Sequence, residues 1–365
     1  MAGILERYDV FRSVLSNEAF ILMMTAYQDG FFGDLMPRVE EWKSMHREFS
    51  YYLLPERYEP FFASSSTKDR KVSGGFDLGI NWVGRDPRFL LHISIFENDL
   101  PLVKRWLACR GRRYLTPRAM DCAARYGHME IVQYFHSLNL PCTMQAMISA
   151  ACFGHLAVVE FLHWHRCEGC NTEAMDYAAE HGHLDIVKFL HAHRREGCTY
   201  AAMNFAAKNG HLDVVQFLHT HRAEGCTEDA MDFAALGGHL EVLRYLQAER
   251  TEGCTTYAMN HAAARGYLQV VEFLHTHRSE GCTKAAMDEA AANGHLEVVR
   301  FLHENRHEGC TEKALEEAVR RGHLKMVQFL VENRTEGNVK HAKQLAETVG
   351  QYEVLRYLIS IGVDI

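Results

Sequence analysis

Cysteine and histidine, which bind transition metals and carry thiol chemistry, recur at fixed intervals along this sequence. The chain has 11 cysteines and 23 histidines in 365 residues. A pattern repeated this regularly could supply a metal site, a redox sensor or a structural position in a repeated fold. Seven of the cysteines stand 28 residues apart, and they are Cys142, Cys170, Cys198, Cys226, Cys254, Cys282 and Cys310.

The size of the repeat argues against a metal site shared between these cysteines. Equivalent positions on adjacent packed helices lie roughly 8 to 10 Å apart, whereas zinc holds its ligands at about 2.0 to 2.3 Å. The same separation exceeds the limit of about 7 Å between the α-carbons of a disulfide. We therefore predict structural cysteines, no metal and no cofactor. A metal or redox sensor built from Cys and His is kept as an alternative, with Cys167 and Cys170 as the single Cys-x-x-Cys pair.

Arginine and glutamate also recur every 28 residues, two positions apart. Because each arginine has a glutamate beside it, we predict a ladder of structural ion pairs and not a row of phosphate contacts. The net charge of -8 agrees with this interpretation, and we expect no nucleic-acid partner. The pairs begin at Arg166 and Glu168 and end at Arg334 and Glu336.

The remaining composition narrows the class of protein. No run of residues approaches the 18 or so consecutive apolar residues of a membrane helix, so we expect no membrane contact. The first residues include Glu6 and Asp9, which do not fit a signal peptide. The sequence has no catalytic constellation of residues, so we expect a non-enzymatic protein. We also expect a monomer inside the cell, in the cytoplasm or the nucleus.

Glycine sets the period of the elements that carry these residues. The stretch before each glycine, such as Ala202-Met203 followed by Ala206-Ala207, is rich in helix formers and predicts a helix, called helix A. The apolar residues after each glycine predict a second helix, called helix B. The glycine, or Asn98 in the first unit, is expected to turn the chain in the left-handed conformation. The glycines are Gly127, Gly154, Gly182, Gly210, Gly238, Gly266, Gly294, Gly322 and Gly350.

Threonine precedes helix A in most units, and its side-chain oxygen can accept a free amide of the first turn. Asn171, which takes its place in one unit, is also a good N-cap. The repeated cysteine comes directly before this cap and five residues before a methionine. This is the spacing of a hydrophobic staple, which gives the cysteines a structural role.

The recurring Ala-Ala-x-x-Gly-His-Leu-x-Val-Val-x-Phe-Leu resembles the ankyrin repeat over residues 86–365. The resemblance implies an all-α, ankyrin-like α-solenoid of about ten stacked helix-turn-helix repeats. Ankyrin units run to about 33 residues, so units of 28 imply shortened or absent β-turn fingers. The chain is similar in this respect to short-repeat ankyrin proteins abundant in oomycetes and related protists. The histidine that follows seven of the nine glycines matches the structural histidine of ankyrin repeats, and Tyr267 and Gln351 occupy the same column in the other two units.

Three segments follow from these patterns. Residues 1–50 contain helical patterns at 17–28 and 34–49 and are predicted to form an N-terminal helical cap or a degenerate repeat. Residues 51–85 are rich in Ser and Gly and predict a loop or linker. Residues 86–365 form the repeat array, with a capping repeat at about 338–365.

Internal variation between the units indicates where a partner would bind. Columns that stay fixed serve the fold, and columns that vary are free for recognition. The varying column before the alanine pair is aromatic in the middle of the array, which is typical of an interface anchor. We predict that the concave helix A face holds a protein or peptide. The candidate residues are Tyr177, Phe205, Phe233, Tyr257, His261, Glu173, Glu180, Lys208, Asp229 and Leu236.

Two other interpretations remain open at this level. The rings could only fill space between the units, although Glu289 and Glu317 in the same column argue against it. Residues 1–85 could instead dock a ubiquitin-ligase subunit, which would make the chain a recruitment adaptor.

Overall fold

The structure is a computed structural model that describes residues 88–362, together with Leu35 and Pro37. Apart from those two residues, the predicted cap at 1–50 and linker at 51–85 lie outside the described residues. The regular secondary structure of residues 88–362 is entirely helical, with no strand. The chain divides into two compact units, with the boundary after Cys170.

The described part of the first unit consists of three helical hairpins. A short 3-10 turn at Arg112–Tyr114 follows the first of them. The helices are α1 Phe89–Phe96, α2 Leu100–Arg110, α3 Pro117–Arg125, α4 Met129–Ser137, α5 Met144–Cys152 and α6 Leu156–His165.

The second unit contains seven further hairpins between residues 171 and 362. In both units, the odd-numbered helices are helix A and the even-numbered helices are helix B. The helices are α7 Glu173–Glu180, α8 Leu184–His193, α9 Tyr200–Lys208, α10 Leu212–His221, α11 Asp229–Gly237, α12 Leu240–Glu249, α13 Thr256–Ala264, α14 Leu268–His277, α15 Lys284–Ala292, α16 Leu296–Asn305, α17 Glu312–Arg320, α18 Leu324–Asn333, α19 Val339–Val349 and α20 Tyr352–Ser360.

Local sequence signals account for where helix A begins and ends. The Thr199 hydroxyl accepts a hydrogen bond from the amide of Ala201 at 3.1 Å, as expected of an N-cap. Asn171 does the same for the amide of Glu173. The repeat glycines between 127 and 350 that end helix A have φ near +75°, and Asn98 has φ +57°. The predicted caps and left-handed turns are therefore confirmed.

The core of each unit is built from the two apolar faces of the hairpins. Met203 and the alanine pair after it are buried on helix A, and Val214, Val215 and Leu218 are buried on helix B. Neighbouring helices A share more contacts than neighbouring helices B. The alanines explain this difference, because side chains of one carbon allow the helix backbones to approach closely.

The last hairpin, α19 and α20, covers the range predicted as a capping repeat. Tyr352 is 73% exposed and Ile359 is 54% exposed on its helix B. The corresponding helices earlier in the unit are followed by another hairpin, whereas no described hairpin follows α20. Its role as a cap stays a prediction.

Candidate protein-binding site

The predicted binding residues all lie on four consecutive helices A of the second unit. Helix α7 carries three of them, α9 two, α11 three and α13 two. On each of these helices the methionine and alanine columns and the polar residue directly after the methionine are buried, so the other residues define an outward surface. We call this surface, formed by the outward residues of α7, α9, α11 and α13, the helix A face.

Two phenylalanines form the centre of the helix A face. The rings of Phe205 and Phe233 lie almost parallel, at 9°, with their centroids 6.2 Å apart. The ammonium of Lys208 lies 5.8 Å from each ring centroid, within cation–π range. Both residues are half-buried, so part of each stays accessible to solvent.

A second aromatic pair lies on α13. The Tyr257 ring stacks on the His261 ring with centroids 5.7 Å apart and an angle of 16°. Tyr257 is 61% exposed and His261 is half-buried. Tyr177, on α7, is half-buried as well. Aromatic side chains with this degree of exposure offer apolar area at a low cost in conformational entropy.

The remaining candidates differ in their exposure. Glu173, Lys208 and Asp229 are exposed, whereas Glu180 and Leu236 are half-buried. Asp229 is partly engaged by its own helix start, because its carboxylate accepts a hydrogen bond from the Thr227 hydroxyl at 3.0 Å. The surface therefore combines apolar rings with both signs of charge.

One exposed aromatic residue of this surface was not among the sequence candidates. Tyr200 is the first residue of α9 and is 56% exposed. Its column directly follows the threonine cap and holds Tyr200, Glu228 and Lys284 in different units. This variation between units is the sequence signal by which Tyr200 could have been found.

A buried polar ladder holds the helices A in register, and the sequence analysis did not predict it. Asp232, directly after a core methionine, accepts hydrogen bonds from the Thr255 amide at 2.8 Å and from the Thr255 hydroxyl at 2.6 Å. Asn204 makes the same connection to Thr227, except that its amide group donates to the hydroxyl at 2.8 Å. The threonine that caps one helix is thus fixed by the helix before it.

The ladder alternates in charge along the second unit. Its members from α7 to α15 are Asp176, Asn204, Asp232, Asn260 and Asp288. Burial raises the pKa of Asp176 and Asp232, because ionised carboxylates lose hydration there. Placing a neutral amide between successive carboxylates, of which Asp176 and Asp232 are buried and Asp288 half-buried, keeps like charges two repeats apart.

The glycine turn of one repeat receives the histidine of the next repeat. A β-carbon added at Gly210 would lie 2.5 Å from Nδ1 of His239, so only glycine leaves room for the ring. The ring nitrogen of His323 donates to the carbonyl of Ala292 at 3.1 Å, which ties α18 to the end of α15. Gln351 makes a similar bond to the carbonyl of Arg320 at 3.2 Å. The histidine column therefore has a structural role.

These features were compared with known families and proteins. The family model described as Ankyrin repeats (3 copies) matches residues 120–200, 175–256, 231–311, 259–344 and 287–365. The chain belongs to the ankyrin-repeat family. No curated protein matches the chain in a sequence comparison. Ankyrin repeats generally mediate protein–protein interaction, and the family is typically a non-enzymatic scaffold.

In this ankyrin array, an ion pair occupies the connection between repeats. Arg222 and Glu224 form a two-pronged pair, with Nε to Oε2 at 3.2 Å. The same glutamate accepts from the backbone amide of Cys198, one repeat earlier, at 3.5 Å. The predicted ladder of ion pairs is confirmed in both units. Each arginine and glutamate pair with each other within one connection, and the Glu224 carboxylate also accepts a backbone amide of the repeat before it.

The same contacts define the chemistry of the repeat cysteines. All eleven cysteines are free thiols. Burial, with a smaller effect of Glu224, raises the pKa of Cys198 to about 12. At neutral pH this ankyrin-repeat cysteine is a protonated, weakly nucleophilic side chain. Among residues 88–362, no group of three or more His, Cys, Asp or Glu side chains is arranged to hold a metal ion.

No helix within residues 88–362 is both long enough and apolar enough to cross a membrane.

Proposed function

We propose that the chain is a non-catalytic binding scaffold or adaptor, and that the helix A face of its second unit binds a protein or peptide. The observation that carries this proposal is the presence of two stacked ring pairs, Phe205 with Phe233 and Tyr257 with His261, on the helix A face. Interfaces concentrate their binding free energy in such aromatic anchors, next to polar groups that fix orientation. Lys208, Asp229 and Glu173 supply those polar groups.

The chemistry of the ring column supports recognition over packing. Stacking of helices A is achieved by the buried alanines and by the aspartate–threonine ladder, which continue past the aromatic region. In those later helices the ring column holds Glu289 and Glu317, so an aromatic residue is not required for the fold. An aromatic residue retained without a structural need is available for binding.

The partner is first identified by proximity labelling in the source cell and then purified. We expect the double variant Phe205→Ala/Phe233→Ala to lose capture of this partner, while the midpoint of thermal unfolding stays nearly unchanged. A large fall in the midpoint would assign the two rings to the core and contradict the proposal.

Two tyrosines provide a matched comparison for the same experiment. Tyr257 and Tyr352 are both exposed residues of the second unit, but Tyr352 lies on a helix B. We expect Tyr257→Ala to weaken binding of the purified partner and Tyr352→Ala to leave it unchanged. Equal effects would show that binding does not use the helix A face.

Other features of the proposal are coarser. We also propose that the protein is intracellular, in the cytoplasm or the nucleus, and that it is a monomer. Docking of a ligase subunit by residues 1–85 stays a prediction, and a pull-down with residues 1–50 deleted tests it. Zinc analysis of the purified protein tests the alternative of a metal sensor, which about one zinc per chain would favour.

A further inference from the structure

The connection between α2 and α3 departs from the ion-pair ladder of the later repeats. In those connections the arginine stands five residues before the threonine column and the glutamate three residues before it, as in Arg222 and Glu224. Counted back from Thr116, which precedes α3, the same two positions hold Gly111 and Arg113. The connection between α2 and α3 therefore carries a cation where the later connections carry an anion.

The residues around this position have the same sign of charge. Residues 100–120 contain six lysines and arginines and no aspartate or glutamate, in a chain whose net charge is -8. Five of the six are exposed, and the other is half-buried. The positive charge is therefore not balanced within the segment. The six residues are Lys104, Arg105, Arg110, Arg112, Arg113 and Arg118.

A short 3-10 turn positions the central arginines. The guanidinium carbons of Arg113 and Arg110 lie 4.5 Å and 5.7 Å from the centroid of the Tyr114 ring, within cation–π range. Because they share one ring, these two carbons are at most about 10 Å apart. The guanidinium of Arg112, in the same turn, donates a hydrogen bond to the carbonyl of Leu138 at 3.4 Å. The turn thus brings several guanidinium groups to one place at the surface.

Three exposed arginines of this segment have no carboxylate partner. In the part of the chain that the structure describes, no carboxylate lies within ion-pair distance of Arg112, Arg113 or Arg118. Arg118 interacts with the buried Asp121 only at longer range. In the later connections, by contrast, each arginine has its glutamate. We call Arg112, Arg113 and Arg118 the basic turn.

Guanidinium groups recognise carboxylates and phosphates, to which they donate two parallel hydrogen bonds. A ligand of the basic turn is therefore an anion. Its size is limited, because the three arginines lie within seven consecutive residues and their α-carbons are at most about 20 Å apart. A short anionic segment covers this distance.

The next two connections of the first unit do not extend the positive surface. At the arginine and glutamate positions, one of them holds Leu138 and Leu140, and the other holds the ion pair of Arg166 with Glu168. A long polyanion such as a nucleic acid, or an anionic membrane, would gain no unpaired cations at these connections. Ankyrin repeats generally mediate protein–protein interaction. Both observations favour an acidic peptide over the other polyanions.

We propose that the basic turn binds a short segment of a partner protein that is rich in aspartate and glutamate. Carboxylates of this segment pair with the guanidinium groups of Arg112, Arg113 and Arg118. They supply the anion that this connection lacks and that a glutamate supplies in the later repeats. The basic turn lies in the first unit and uses no residue of the helix A face, so the inference goes beyond the proposed function.

The test uses the purified full chain and a fluorescent Gly/Ser peptide with a central run of glutamates. Binding is measured by fluorescence anisotropy at low and at high salt. We expect the double variant Arg112→Glu/Arg113→Glu to weaken binding by about tenfold or more, and added salt to weaken binding to the unaltered chain. Arg112→Gln/Arg113→Gln, which adds no negative charge, should weaken binding as well, and thermal melting checks that both variants are folded.

A matched control separates position from net charge. Arg195 stands four residues before Thr199, as Arg112 does before Thr116, but the connection around Arg195 has its ion pair. The double variant Arg195→Glu/Arg356→Glu makes the same change in net charge at two exposed arginines of the second unit. We expect this control to retain most of the affinity.

Equal loss in the basic-turn and control variants would overturn the inference, because it would show attraction by net charge alone. Failure of the unaltered chain to bind the peptide, or equal binding of a peptide with glutamine in place of glutamate, would overturn it too. A single-stranded oligonucleotide of the same charge and vesicles containing an anionic lipid are tested in parallel. If either binds as tightly as the peptide and loses binding with Arg112→Glu/Arg113→Glu, the basic turn is not specific for an acidic peptide and the inference is wrong.

Discussion

Removal of the Thr255 hydroxyl tests the polar ladder between the helices A. Thr255→Val keeps the shape of the side chain but removes two hydrogen bonds, one to Asp232 at 2.6 Å and one from the Tyr257 amide at 3.1 Å. A hydrogen bond to a charged group contributes about 1.5 to 3 kcal/mol, and an N-cap about 0.5 to 2 kcal/mol. We expect the free energy of unfolding to fall by about 2 to 5 kcal/mol.

The assay is urea unfolding followed by circular dichroism, together with hydrogen exchange of the segment around α13. Local exchange is informative because repeat arrays are stabilised mainly by neighbouring repeats and can open locally. We expect Thr255→Val to increase exchange in α11 and α13 and to leave α19 protected. Thr255→Ser, which keeps the hydroxyl, is the matched control and should retain most of the stability.

Asp232→Asn is the second arm of this experiment. It copies the connection that Asn204 makes to Thr227, with the amide group donating to the hydroxyl. Because burial raises the pKa of Asp232, its ionised form costs free energy that the amide does not. We expect stability at neutral pH within about 1 kcal/mol of the unaltered chain. A loss as large as that of Thr255→Val would refute the interpretation of the ladder.

Three further outcomes can be measured on single variants or on the unaltered chain. Gly210→Ala and Gly350→Ala both place alanine in the left-handed conformation, at a cost of about 1 to 2 kcal/mol. Only the β-carbon at position 210 would also meet a histidine ring. We therefore expect the Gly210→Ala protein to unfold at a lower urea concentration than the Gly350→Ala protein. Burial, and to a lesser degree the Arg222 guanidinium, lowers the pKa of His191. The unfolded chain therefore binds more protons, and stability should fall as the pH drops below about 6.5. His191→Gln should reduce this loss in a series of melting curves, and an unchanged pH dependence would contradict the assignment. Burial raises the pKa of six repeat cysteines to about 11 or 12, so iodoacetamide should alkylate the exposed Cys167 first by mass spectrometry.

The helices that carry the candidate residues could be predicted from the sequence because they belong to a repeated scaffold, whereas the binding role of these residues stays a prediction. All ten predicted binding residues lie on four consecutive helices A, and each is exposed or half-buried. Tyr200 was missed because it stands beside the helix cap, outside the column that was used to find the aromatic centre. The stacking of Phe205 on Phe233 could not be predicted, since ring orientation depends on how far neighbouring helices are rotated and shifted.

The sequence by itself determined the period, the two helices of each repeat, their caps and the left-handed glycine turns. These features depend on residues a few positions apart, whose preferences are local and recur every 28 residues. Only the tertiary structure decided which side chains join one repeat to the next. The bonds from Asp232 to Thr255 and from Glu224 to Cys198 connect residues 23 and 26 positions apart. Such contacts form only after the hairpins have stacked, because packing sets the distances and the burial that make a carboxylate accept these particular donors.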